Sequence, residues 1–208
     1  MSELHPWADR YREEETPWDL GEAHPELVAR IAAGDSAIIP PASGGKALVP
    51  GCGRGWDALA LAQAGWEVTA LDIVPDLELL VSSRLGPYGS TFHCGDFLNF
   101  LDCNSKGERQ YDLIFDHTFF CALPPEQRTN FGLAAARLLK PGAILCSLVF
   151  PIGRDPALGG PPFGMEIADL CNCLLPLNFQ LVNKIENVPA GKDREWSAAW
   201  VEFLFSSY

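Results

Sequence analysis

Apolar and polar positions along this chain form blocks that predict parallel strands joined by crossover helices. Five short apolar runs are each followed by a polar loop or by a stretch with apolar residues at helical spacing. The runs are residues 47–49, 68–71, 91–94, 111–116 and 144–150. The last run is apolar almost throughout, which is typical of a central parallel strand covered on both faces. The pattern therefore predicts an α/β fold.

The helical blocks have recognisable ends. They are expected at residues 25–33, 76–85, 124–139 and 166–175, and between a glycine-rich loop and Gly65. The first of them starts with Pro25, which fits the first turn of a helix, and Gly34 stops it. In the helix that ends at Gly65, Leu59, Ala60 and Ala64 fall on one face at helical spacing.

The C-terminal end changes the pattern, because two strand-like segments follow each other without a helix between them. Residues 179–188 and 196–205 are joined by a short turn-rich segment, which predicts an antiparallel hairpin. Together with the five earlier runs, this predicts a doubly wound, mostly parallel seven-stranded sheet with a C-terminal antiparallel hairpin. A dinucleotide-binding fold would have supplied a further crossover helix at this point.

The loop after the first strand carries the strongest functional signal. Gly51, Gly53 and Gly55 alternate, and Asp72 ends the next strand. Glycines let the backbone approach a ligand where a Cβ atom would clash, and the acid can accept hydrogen bonds from both hydroxyls of a ribose. Trp56 stands where the nicotinamide fingerprint has its third glycine. The spacing favours a different nucleoside cofactor, and a purely structural turn remains the alternative.

Two further acidic positions follow strand ends, where open α/β sheets bind their ligands. Asp96 with Phe97 can hold a purine or can form an ordinary acidic turn. Asp116 and His117 are adjacent in one strand, so their side chains should point to opposite faces of the sheet. We therefore expect His117 to contact a ligand rather than to form an acid–base pair with Asp116.

The first 23 residues form a polar arm that carries Trp7, Tyr11 and Trp18. These aromatic residues either pack on the outside of the domain or form a lid over the ligand, and the sequence leaves both open. An aromatic face also suits a sulfonium cation. The glycine- and proline-rich loop at 151–163 is expected to lie on the same rim of the sheet as the acidic strand ends and to select the substrate.

Composition narrows the class of protein. The 208 residues are expected to form one domain, residues 1–208, and 27 acidic against 15 basic residues give a net charge of -12. Without a basic run, nucleic-acid and anionic-membrane partners are not expected. No apolar run has transmembrane length, and the N-terminus does not read as a secretory signal. The seven scattered cysteines predict reduced thiols in the cytoplasm and no metal site.

Several stretches together resemble one family. They are the arm with Trp7, Tyr11 and residues 16–19, the glycine turn at 49–53, and residues 112–122 and 160–163. The combination resembles the thiopurine S-methyltransferase and halide/thiol methyltransferase family, which are class I S-adenosylmethionine-dependent enzymes, over nearly the whole chain. It implies a Rossmann-like fold whose last strand inserts between its neighbours. The implied cofactor-binding residues are Trp7, Tyr11, Trp18, Gly51, Asp72, Asp96, Phe97 and His117.

The resemblance implies methyl transfer from S-adenosylmethionine to a small soft nucleophile, namely a halide, bisulfide, thiocyanate or another thiol. Candidate substrate-side residues are Tyr11, His117, Phe120, Arg154 and Phe163. Tyr11 and His117 stand where plant members have tryptophan and tyrosine, so the acceptor stays open. The alternatives are a heterocyclic thiol, selenium or tellurium oxyanions, a non-catalytic S-adenosylmethionine-binding domain, and a nicotinamide oxidoreductase, which Trp56 and the hairpin oppose.

No catalytic side chain is required by this chemistry. The donor already carries an activated methyl group, so the protein has to align the reactants and remove water from the nucleophile. We expect a passive pocket in which a thiol reacts according to its own ionisation, in a monomer that acts on a small molecule.

Overall fold

The computed structural model describes residues 5–100, 108–191 and 195–206. Its helices are α1 (His5–Arg12), α2 (Pro25–Ala33), α3 (Trp56–Gln63), α4 (Glu78–Leu85), α5 (Arg128–Leu138) and α6 (Ile167–Leu174). Its strands are β1 (Lys46–Pro50), β2 (Glu67–Asp72), β3 (Thr91–Cys94), β4 (Tyr111–His117), β5 (Leu139–Ile152), β6 (Phe179–Val188) and β7 (Ser197–Phe205). Short 3-10 turns extend several of the helices.

The seven strands form one sheet in the order β3-β2-β1-β4-β5-β7-β6. The first five strands are parallel to one another, and β7 runs antiparallel to both of its neighbours, β5 and β6. The chain order reverses between β1 and β4, and ligands of open α/β sheets bind at such a switch point. The predicted fold class, including the terminal hairpin and its inserted last strand, is confirmed.

Helices cover both faces of the sheet because successive strand residues point to opposite sides. Ala47 and Val49 pack with α2, α3 and α4 on one face, whereas Leu48 packs with α5 and α6 on the other. The apolar residues of α5 and α6 that fill the second face include Phe131, Leu138, Leu170 and Leu174. The near-continuous apolar strands are thereby buried on both sides.

The most buried residues of α3 are not those whose shared face stood out in the sequence. Ala58, Leu61 and Ala62 are fully or almost fully buried, whereas Leu59 and Ala60 are only half-buried. An alanine-rich helix offers two apolar faces of similar quality, and the packing of the sheet decides which one turns inward. The N-terminal arm also contains a helix, α1, that the polar sequence did not predict. No helix among the described residues is long and apolar enough to cross a membrane.

Candidate active site

The turn between β1 and α3 needs its glycines. Gly51, Gly53 and Gly55 all have positive φ angles, at 57°, 53° and 79°, a region that side chains other than glycine rarely adopt. A Cβ atom on Gly51 would lie 2.6 Å from the Phe119 ring. The backbone N–H of Gly53 points back to the sheet and donates to Asp72 Oδ2 at 2.8 Å. The turn therefore holds the end of β2 and the start of α3 together.

Asp72 lies beneath this turn and is 7% exposed. Its Oδ1 atom accepts the backbone N–H of Val74 at 3.0 Å, while Oδ2 accepts that of Gly53. Burial raises the pKa of this carboxyl group, although the backbone N–H groups oppose the shift. The structure thus brings the acid and the glycine turn together as the sequence predicted. The role of Asp72 in binding a ribose remains a prediction.

The N-terminal arm is fastened to the glycine turn through Asp19. Asp19 Oδ2 forms an ion pair with Arg54 Nε at 2.7 Å, and Oδ1 accepts the indole N–H of Trp56 at 3.0 Å. On the other side of that indole, the guanidinium of Arg84 stacks 3.6 Å from the ring centroid. Trp56, which replaces the third fingerprint glycine, is therefore the docking point of the arm.

The aromatic residues of the arm form one cluster over the turn. Trp18 makes edge-to-face contacts with Trp7 at 5.2 Å and with Tyr11 at 5.7 Å, and its indole N–H donates to the Tyr11 hydroxyl at 3.1 Å. That hydroxyl lies 2.8 Å from the position of a Cβ atom on Gly53. Burial and the charge of Asp72 raise the pKa of Tyr11, so it stays a neutral phenol.

His117, at the end of β4, pairs with an acid that the sequence analysis did not select. Its Nδ1 atom lies 2.7 Å from Asp57 Oδ2 on α3, and the imidazole is 8% exposed. The other carboxylate oxygen of Asp57 accepts the backbone N–H of His24 at 2.8 Å. The His24 ring meets the His117 ring edge-to-face at 4.8 Å. His117 Nε2 is buried and has no hydrogen-bond partner among the described residues.

Asp116 points the other way, as its neighbouring position in the strand predicts. Ser147 donates its hydroxyl to Asp116 Oδ2 at 2.6 Å, and the backbone N–H groups of Phe119 and Phe120 donate to Oδ1 at 3.1 Å. This carboxylate therefore stabilises the turn after β4. His117 and Asp116 have separate partners and do not form an acid–base pair.

A small cavity of about 40 Å³ lies between the arm, the glycine turn and the end of β4. It brings together four of the predicted residues, Tyr11, Trp18, Gly51 and His117. The other residues that line it are Asp19, Leu20, Glu22, Val49, Cys52, Gly53, Arg54, Trp56, Asp57 and Thr118. The cavity is thus closed by the arm on one side and by the paired imidazole on the other.

Comparison with known proteins agrees with this arrangement. The sequence model of the thiopurine S-methyltransferase family matches residues 2–77, and that of a methyltransferase domain matches residues 47–142. Thiocyanate methyltransferase 1 of Arabidopsis thaliana is 34% identical over 93% of this chain and 83% of that protein. A second Arabidopsis protein, named "Probable thiol methyltransferase 2", is 34% identical over 87% of this chain and 76% of its own length.

The chain belongs to the thiopurine S-methyltransferase and thiol methyltransferase family. Solved methyltransferases share its fold. The 1,6-didemethyltoxoflavin-N1-methyltransferase of Burkholderia thailandensis, with bound S-adenosylhomocysteine, has a TM-score of 0.74 and 19% identity over 98% of this chain and 87% of that one. A TehB-like enzyme from Corynebacterium glutamicum has a TM-score of 0.65 and 19% identity over 98% of each chain. The protein is an S-adenosylmethionine-dependent methyltransferase.

The remaining predicted cofactor residues of this methyltransferase lie outside the cavity. Asp96 accepts the backbone N–H of Leu98 at 2.9 Å and lines a separate surface groove between the turn that follows β3 and α5. Phe97 is 2% exposed and packs against Phe119 at 5.4 Å. Trp7 stands behind Trp18 rather than in the cavity wall. Their contact with the adenine or methionine parts of the cofactor stays a prediction.

The predicted substrate-side residues of the methyltransferase are more dispersed than expected. Phe120 has 0% exposure and lies in the core, so this geometry gives no support to a direct substrate contact. The Arg154 guanidinium stacks 5.4 Å from the Trp196 ring and donates to the carbonyl of Gly159. Phe163 donates its backbone N–H to the backbone carbonyl of Cys121 at 2.7 Å. Neither Arg154 nor Phe163 lines the cavity, whereas Tyr11 and His117 do.

Sequence reasoning missed Asp57, His24 and Asp19. Asp57 stands in the first turn of α3, where an acid is ordinarily explained by the helix dipole. Its partner His117 is 60 positions away along the chain. The available signal for Asp57 was its position directly after Trp56, on the helix that starts at the cofactor turn, which places its carboxylate near the predicted site.

Proposed function

We propose that this methyltransferase transfers the methyl group of S-adenosylmethionine to a small soft nucleophile: a halide, bisulfide, thiocyanate or another thiol. The named activities of the thiol and thiocyanate methyltransferase relatives support this acceptor class. The observation that carries the proposal is the grouping of Tyr11 and the paired His117 with the glycine turn around one cavity. Tyr11 and His117 are the two predicted substrate-side residues that line this cavity.

The residues around the glycine turn fit the cofactor. Gly51 and Gly53 leave room where a Cβ atom would meet Phe119 or Tyr11. Asp72 at the end of β2 offers a carboxylate for the ribose hydroxyls, and the rings of Tyr11 and Trp18 offer faces for a sulfonium. When bound, S-adenosylmethionine supplies a methyl group that is already activated for attack by sulfur or halide.

The chain's own residues provide alignment and a dry site. The arm shields the turn from water, because Asp19 fastens it to Arg54 and Trp56. Removing water from a soft anion raises its reactivity, and holding it in line with the methyl group replaces a bimolecular encounter. Tyr11, with its raised pKa, acts as a neutral hydrogen-bonding group at the cavity wall.

An acceptor panel tests this function. Purified protein is incubated with S-adenosylmethionine and, separately, iodide, thiocyanate, bisulfide, a small alkanethiol, a heterocyclic thiol or tellurite, and methylated products are measured by gas or liquid chromatography. We expect turnover of the small soft nucleophiles. Product from the heterocyclic thiol or tellurite alone would redirect the assignment. Tight binding of S-adenosylhomocysteine by calorimetry with no product from any acceptor would identify a non-catalytic domain.

We further propose that the enzyme acts as a cytoplasmic monomer on a small-molecule substrate, without nucleic-acid or membrane partners. The net charge of -12 supports the absence of nucleic-acid and membrane partners, because nucleic acids and anionic membranes repel a strongly acidic surface. Light scattering after size-exclusion chromatography measures the mass directly. A particle of twice the chain's 22.7 kDa would contradict the monomer.

A further inference from the structure

The imidazole of His117 is held in one orientation by groups from two other segments of the chain. Asp57 on α3 binds its Nδ1 atom at 2.7 Å. His24, just ahead of α2, supports both partners, since its backbone N–H binds Asp57 and its ring contacts the imidazole. The imidazole is more than nine-tenths buried, and Nε2 lies opposite the tethered nitrogen without a partner among the described residues.

The contact with Asp57 fixes the tautomer of the ring. Burial would raise the pKa of Asp57, but the charge and hydrogen bond of His117, together with the His24 backbone N–H, outweigh it and lower that pKa. An ionised carboxylate only accepts hydrogen bonds, so Nδ1 must carry the proton. A neutral His117 then presents the lone pair of Nε2, which is the arrangement of a general base.

Besides Glu22 and His24, which also lie at this site, four titratable groups near the imidazole already have partners or keep their protons. Asp116, next to His117 on β4, already accepts three hydrogen bonds in the core. Cys52 lines the same cavity, and burial raises its pKa well above its usual value. Tyr11 is likewise a neutral phenol. Asp19, a third acid at the cavity, is held by Arg54 and Trp56.

We propose that Nε2 of His117 takes the proton from an S–H acceptor, so that the preferred substrate is a protic sulfur nucleophile, a small thiol or hydrogen sulfide, rather than a halide. The S–H bond breaks, an N–H bond forms at Nε2, and the electron pair stays on sulfur as the thiolate that attacks. Asp57 is the positioning residue and stabilises the imidazolium, which later releases its proton to water. This inference rests on the proposed function and replaces the passive pocket expected from the sequence.

An imidazole matches this substrate better than a carboxylate does. A reference histidine has a pKa of about 6.5 and a reference thiol about 8.5, whereas carboxyl groups lie near about 4. At pH 7 only about 3% of such a thiol is ionised, so in a pocket without a base only about one thirtieth of the thiol would be present as the reactive thiolate. A halide carries no proton and would gain nothing from the pair.

The test compares initial rates with iodide and with a small thiol whose own pKa is about 8.5, that of the reference thiol, from pH 6.5 to 9.5. The proteins are the wild type, His117→Gln, Asp57→Asn and the control His93→Gln, which changes an exposed histidine away from the cavity. We expect the thiol-to-iodide rate ratio of His117→Gln to fall about 30-fold at pH 7 and to recover within about threefold at pH 9.5, where the thiol ionises by itself. Asp57→Asn should show the same pH pattern with a smaller loss.

Two measurements keep the proposal testable if a variant folds poorly. The wild-type thiol profile should rise at a pH below the ionisation of the free thiol. In the wild-type complex with S-adenosylhomocysteine, the same thiol should show thiolate ultraviolet absorbance at pH 7, and His117→Gln should not show it.

Several results would overturn the proposal. An equal loss on iodide and thiol at every pH would make the pair structural, and a wild-type profile that follows the free thiol would restore the passive pocket. Turnover of iodide without turnover of thiol overturns this inference alone. No turnover of any acceptor overturns the proposed function as well.

Discussion

Replacing Asp19 by alanine is the most direct perturbation of the arm. The change removes the ion pair with Arg54 and the hydrogen bond from the Trp56 indole, together with the local hydrogen bond from the Gly21 N–H to Asp19 Oδ1, while the Trp18–Tyr11 hydrogen bond is untouched. A hydrogen bond to a charged acceptor contributes about 1.5–3 kcal/mol. The ion pair adds about 0.2–1 kcal/mol, because the Arg54 side chain is 33% exposed and solvent screens it.

The two contributions together predict that the docked arm loses about 2–4 kcal/mol. At about 1.4 kcal/mol per factor of ten, this corresponds to a 30- to 700-fold increase, roughly, in the population of the open arm. Hydrogen exchange measures it, because amides that exchange through local opening report that population. Amides of α1 should lose protection by this factor, whereas those of β1 and β4 should not change.

Two further variants separate the contributions. Asp19→Asn keeps an acceptor for the Trp56 N–H but removes its charge, so it should lose the ion pair and part of that hydrogen bond, less in total than Asp19→Ala. Glu15→Ala removes the same charge from an exposed position of the arm and should have no effect. Equal exchange of α1 in the wild type and in Asp19→Ala would refute the docking argument.

The same experiment addresses the predicted lid. Sites for ligands of drug size measure about 300–1,000 Å³, so the cofactor requires the arm to move away from the cavity of about 40 Å³. We expect S-adenosylhomocysteine to change the exchange of the arm amides, first by opening the site and then by closure over the bound ligand. Identical exchange with and without it would contradict the lid.

Three other changes have defined outcomes. Asp72→Ala should weaken cofactor binding by about 1.5–3 kcal/mol, the range for hydrogen bonds to a charged group; calorimetry on the folded variant checks this, and unchanged affinity would remove the ribose role. Folding lowers the pKa of Asp57, so its ionised carboxylate stabilises the fold at pH values above the unfolded pKa of about 3.9, and this stabilisation is lost as the pH falls through the folded pKa. The urea midpoint of the wild type should therefore exceed that of Asp57→Asn by more at pH 6 than at pH 3. Gly55→Ala should cost about 1–2 kcal/mol for the left-handed backbone and more for its Cβ atom, which would lie 3.0 Å from Val81; a urea midpoint equal to that of the wild type would show that the turn relaxes freely.

The order of elements in this protein was predictable from its sequence because local periodicity decides it. Apolar runs of strand length, helical spacing between them and the terminal pair of strands predicted a seven-stranded sheet, which is confirmed. The glycine turn and Asp72 were also predictable, since positive φ angles at Gly51, Gly53 and Gly55 demand glycine and an acid at a strand end follows from the βαβ unit. These features depend on neighbours in the sequence.

The partners of the chemical groups were decided by tertiary structure alone. Asp57 meets His117 across 60 positions, and Asp19 meets Trp56 across 37. Nothing in the local pattern of either residue distinguishes a paired carboxylate from a solvated one. Phe120 shows the reverse case, since its place after a strand end suggested the substrate side and the fold of the following turn buried it. Periodicity determines which face a residue can use, and only the packing of distant segments determines what it meets there.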